Sequence, residues 1–77
     1  MVKITNINQL KDREFSDCFI SIGGIAKSSK EINYYASSGM FSIWNCIDDS
    51  YEELTKQELT MHSIGMAIKN KRLYRYE

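Results

Sequence analysis

The chain has 77 residues, and its 10 Lys plus Arg balance its 10 Asp plus Glu, so the formal charge is zero. That length gives one small domain, spanning 1–77, with a thin core and no room for an active site walled on every side. The neutral total argues against the basic excess of a free-standing nucleic-acid binder, and 43% apolar with 26% charged residues is the composition of a folded chain.

The N-terminus, Met1-Val2-Lys3-Ile4-Thr5-Asn6, turns polar at once and lacks the apolar core of a secretory signal, and no apolar run approaches a membrane span. The expectation is therefore a cytoplasmic chain with no membrane contact. Cys18 and Cys46 both sit in apolar stretches, and they read as reduced, buried structural thiols. Ten Ile and five Asn against three Ala, with no Pro, suit an AT-rich genome such as that of a low-GC bacterium or its phage.

In chain order, Asn6 to Phe15 allows a short helix, with Asn6 as cap and Gln9 as its reciprocal partner. Cys18 to Ile22 alternates as a strand, Cys18, Ile20 and Ile22 on one face and Phe19 and Ser21 on the other, and Gly23-Gly24 ends it. The glycine pair lacks the spacing of a phosphate-binding loop. Glu31 to Ala36 is a second strand, and Ser37-Ser38-Gly39 turns the chain into the third. That third strand, Met40 to Ile47, is apolar on both faces, as a central strand is. Asp48-Asp49-Ser50 breaks it, and Ser50 and Glu53 have capping-box spacing. Thr55 and Glu58 repeat that spacing with a staple of Leu54 and Leu59, so a helix is predicted from Lys56. Met61, Ile64, Ala67 and Ile68 form its stripe. Gly65 allows either one helix to Asn70 or a break with Ser63 capping a second. Leu73-Tyr74-Arg75-Tyr76 fits a last strand or an extended tail.

The predicted fold is α+β: three antiparallel strands, about 17–23, 30–36 and 40–47, packed against a C-terminal helical region within 55–70, with a short N-terminal helix. The order helix, three strands, helix resembles the topology of double-stranded-RNA-binding domains. That family places a lysine-rich cluster at the start of its last helix. Here the start, Lys56-Gln57-Glu58, lies beside acids, and the basic residues stand at the opposite end.

Two charge clusters stand out. Residues 48–58 hold five acids against one base, which collects acids near a helix start. The calcium-loop pattern is absent, and no metal is expected. Residues 69–76 hold Lys69, Lys71, Arg72 and Arg75 with Tyr74 and Tyr76 between them, a mixture that serves either a protein contact or phosphates and stacked bases. His62 is the single histidine, and with Cys18 and Cys46 it falls short of a zinc set. Neither a dithiol pair nor a nucleophile-base pair is supported. If Phe41, Ile43, Cys18 and Ile20 face the helix, Trp44 and Phe19 lie on the opposite face; the period is equally compatible with the reverse. The expected function is a small non-enzymatic binding or accessory protein without a cofactor. Its partner is another protein or a second copy in a homodimer, and its interaction residues are Phe19, Trp44, Lys69, Lys71, Arg72, Tyr74, Arg75 and Tyr76. A nucleic-acid module using the basic segment is the alternative, and an enzyme of unknown type the third.

Overall fold

Six strands form one antiparallel sheet in the computed structural model, which describes residues 1–45 and 48–76. The strands are β1 (Val2–Ile4), β2 (Phe15–Ile22), β3 (Ile25–Tyr35), β4 (Met40–Asn45), β5 (Ser50–Leu54) and β6 (Leu73–Arg75), in the spatial order β1-β6-β2-β3-β4-β5. A three-stranded sheet is thus corrected to six: the centre, β2 to β4, overlaps the expected strands, with β3 beginning at Ile25 rather than about residue 30, and β1, β5 and β6 extend it on both sides. With three further strands, the resemblance to a double-stranded-RNA-binding domain no longer holds at the level of topology.

The short N-terminal helix is a 3-10 turn over Ile7–Lys11. Asn6 Oδ1 accepts from the Asn8 N–H, and Gln9 Oε1 accepts from the Asn6 N–H at 2.9 Å, so the chain starts this turn as the capping residues require. The helical region is two helices, α1 (Lys56–Met61) and α2 (Ser63–Lys69). Thr55 and Glu58 form the expected box at the start of α1. The cap of α2 is His62, not Ser63: its imidazole accepts the Ile64 N–H at Nδ1, 3.2 Å away. Gly65 is required at the junction. A Cβ there would run into the Leu59 carbonyl and the Thr60 backbone, so only glycine lets α2 pack this closely on the end of α1.

Both helices and the 3-10 turn cover one face of the sheet. Cys18, Ile32, Phe41, Ile43 and Leu73 from the strands meet Leu59, Ile64, Ala67 and Ile68 from the helices, with Ile4 and Leu10 closing the β1 side. Leu54 packs against this core half-buried, completing the staple with Leu59. Apolar burial of this kind contributes about 25 cal/mol per Å², which makes this layer the main source of stability. The hairpins between the central strands are tight. Tyr35 carbonyl accepts from Ser38 N–H and from Gly39 N–H at 2.8 Å, and Gly39 holds φ +67°, where a side chain is strained. Cys18 is buried and carries no bond to another cysteine among the described residues. Cys46 and Ile47, read above as the end of the third strand and a second buried thiol, lie outside the described residues. No helix among the described residues is long and apolar enough to cross a membrane.

Candidate interaction surface

Residues paired directly across antiparallel strands share a face, and the register therefore defines what the uncovered face displays. One row runs Lys3, Tyr74, Phe19, Ser29 across β1, β6, β2 and β3. A second runs Asp17, Glu31, Trp44, Tyr51 across β2 to β5. The helices lie on the other side, so among the described residues aromatic rings are the thick cover this face has.

The first row is built around Phe19. Its ring stacks on Tyr74 with centroids 5.4 Å apart and meets the Tyr76 ring at 4.9 Å. The two tyrosines leave Phe19 only 7% exposed, Tyr74 half-buried and Tyr76 exposed. Lys3 Nζ lies over the Tyr74 ring, 5.8 Å from its centroid. In the second row, Trp44 is half-buried and donates its indole N–H to Asp49 Oδ1 at 3.3 Å, while Tyr51 is 58% exposed. The Tyr51 phenol is the first cause that pushes the Tyr35 phenol above its ordinary value.

The basic segment does not act as a unit. Arg75 pairs with Cys18 and Val2 on the helix-covered side and is 7% exposed. Its guanidinium donates to the Gln9 carbonyl at 2.7 Å and stands 3.8 Å from Asp12, which pins the 3-10 turn to the sheet. Lys69 ends α2, and Lys71 follows with φ +59°; both are exposed, in the connection before β6. Arg72 is half-buried, and its Nε has no hydrogen-bond partner among the described residues. Of the eight interaction candidates, Phe19, Tyr74 and Tyr76 come together and Trp44 shares their face. Lys69 and Lys71 lie apart from the rings, and Arg75 is a structural residue.

His62 gains partners that the sequence did not indicate. Nε2 lies 2.8 Å from Glu52 Oε2, and Ser63 Oγ lies 3.3 Å from Nδ1. Ser50, Lys30 and Asp48 line the same polar cavity of about 110 Å³. The series Ser63, His62, Glu52 has the residue types of a nucleophile, a base and an orienting acid. Its chemistry is that of a cap. The Ile64 N–H donates to Nδ1, so the lone pair that would take the serine proton is already engaged, and Nε2 faces Glu52. Cys18 is no better nucleophile: burial raises its thiol to about 12, against a lowering by Arg75 and with a further rise from Asp17. Among the described residues no three His, Cys, Asp or Glu side chains converge as a metal site. A cleft of about 480 Å³ between the 3-10 turn and the helices, edged by Asn6, Asn8, Lys56, Thr60 and Lys69, is open and has no acid-base pair.

The interaction residues expected from the sequence do not include Lys3, Tyr35 or Tyr51, nor the acids Asp17 and Glu31 on the open face. Tyr51 alternates with Ser50 and Glu52 in a five-residue strand, but the Ser50–Glu53 spacing equally fits a helix cap. No family model matches the chain, and no curated protein or solved structure is significantly similar to it.

Proposed function

We propose that this chain is a non-catalytic protein-binding module that engages its partner through the sheet face away from the helices. The observation that carries the proposal is the pair of aromatic rows on that face, with Tyr51 and Tyr76 exposed and no layer above them among the described residues. Aromatic residues at a surface supply large contact area at low entropic cost and are enriched where proteins meet. Asp17, Glu31 and Glu53 stand on the same face, and they favour a protein surface over a phosphate backbone. The burial of Arg75 supports the same choice, because it removes one of the four bases a nucleic acid would need.

The test is site-specific photo-crosslinking in lysate of the native host, with a benzophenone side chain placed at Tyr74, at Tyr51 or at exposed Met66 on the helix side. A discrete protein adduct from the first two positions and none from Met66 is the expected result. An adduct of twice the chain's mass makes the partner a second copy. Adducts from Met66 alone place the contact on the helices and overturn the proposal. Binding of labelled RNA or DNA that weakens steeply with added salt transfers the function to nucleic acid.

A further inference from the structure

Resting on that reading, we infer that the outer edge of β5 takes an extended, lysine- or arginine-bearing segment of the partner as a seventh strand. β5 is the last strand in the sheet order, so alternate backbone N–H and C=O groups over Ser50–Leu54 face outward without a strand neighbour among the described residues. Such an edge is a template for another strand unless it is blunted. The opposite edge is blunted: β1 has three residues, with Lys3 at its centre. β5 has neither proline nor bulge; its register with β4 runs unbroken from Leu54 to Ser50, and four of its five residues are exposed.

Charge selects the occupant. Residues 48–54 contain Asp48, Asp49, Glu52 and Glu53 and no base. Antiparallel pairing of two β5 strands about their centres sets Glu52 against Glu52 or Glu53 of the second copy, and like charges directly opposite are destabilising. A phosphate backbone meets the same repulsion. A segment with cations at alternate positions instead sets one beside Glu53 and another over the Tyr51 ring, both on the open face, with Trp44 directly across from Tyr51. On the helix side, Glu52 already holds His62, and Lys30 lines the cavity beside it, so the cations belong on the open face. Main-chain bonds then supply affinity, and the alternating cations supply selectivity.

The test uses the whole chain and three labelled probes of about ten residues: alternating Lys-Thr, alternating Glu-Thr, and Lys-Thr with alternate backbone nitrogens methylated. Fluorescence polarisation at low and high salt gives affinity, and amide hydrogen exchange followed by NMR locates the probe. The expected result is binding of the Lys-Thr probe, slowed exchange at alternate amides within 50–54, and at least about ten-fold weaker binding of the other two probes. Glu52→Lys with Glu53→Lys should cost the Lys-Thr probe a similar factor while far-UV dichroism is unchanged. Equal binding of the methylated probe means charge alone holds it and overturns strand addition. Exchange effects confined to residues 17–19 and 74–76 overturn the β5 edge but leave the protein-binding reading standing. No binding of any probe at about 1 mM in low salt also overturns the edge, and the crosslinking result then decides the wider reading independently.

Discussion

Cys18 and Phe19 are neighbours in β2, and both are buried, but by different means. Cys18 points into the layer of Leu59, Ile64 and Ile68, where neighbours on several elements enclose it. Phe19 points the other way and is covered by two rings from its own sheet, Tyr74 and Tyr76. The comparison teaches that low exposure does not identify a core. A residue enclosed by several elements leaves a cavity when it is cut back, because its surroundings relax only partially. One roofed by surface rings leaves a gap that the rings can close or water can enter.

The largest effect should come from the enclosed side. Phe41→Ala is expected to cost about 3–5 kcal/mol, the range for deleting a buried aromatic in a fixed cavity. Urea unfolding followed by fluorescence measures it, and a loss below about 1 kcal/mol would show that this side is as yielding as the other. Cys18 offers a pH test of the same enclosure. Its thiol has a folded value of about 12 against an ordinary 9.0, so the folded chain holds the proton longer than the unfolded chain. The associated stability is complete below pH 9, declines above it, and is lost as the pH rises through 12. Near pH 10.5 the loss should be about 2 kcal/mol, and Cys18→Ala should flatten that part of the stability curve. Phe19→Ala should cost roughly 2 kcal/mol, the transfer term without much cavity term, and should leave the helix-side amides protected from exchange. A cost equal to that of Phe41→Ala would abolish the distinction. The smallest effect lies outside both faces. Thr55→Ala removes the α1 cap and should lower the urea midpoint by an amount worth about 1 kcal/mol. The Thr55 backbone N–H holds the Glu58 carboxyl below its ordinary value, so that contribution is present at neutral pH and fades as acid protonates Glu58.

The centre of this fold was readable because its signals are local. Alternation over residues 18–22 and 40–45 needs no knowledge of partners, and the boxes at Asn6–Gln9 and Thr55–Glu58 are satisfied within four residues. β1 was not readable, and β6 only as one of two options, a last strand or an extended tail, for the opposite reason. Three residues carry no usable period, and both strands exist because Leu73–Arg75 finds Val2–Ile4 and Cys18–Ile20 from far along the chain. The same distance hid the role of Arg75. Nothing near it in sequence shows that its guanidinium will be claimed by the Gln9 carbonyl, and counted as surface charge it enlarged the basic cluster. The open face was legible in its membership, Phe19 and Trp44, but not in its boundary, because Tyr51 and Lys3 belong to strands that the period could not resolve.

The position of β6 bears on how the chain assembles during synthesis. β1 precedes the other strands in the chain, yet its strand neighbour among the described residues is β6, which follows every other element. The β2–β5 meander and the helices can form in the order in which they are translated, whereas Val2–Ile4 has no seat until residues 73–75 have left the ribosome and docked beside β2. The topology predicts that Val2–Ile4 joins the sheet last, because its pairing with Leu73–Arg75 closes the longest stretch between paired strands.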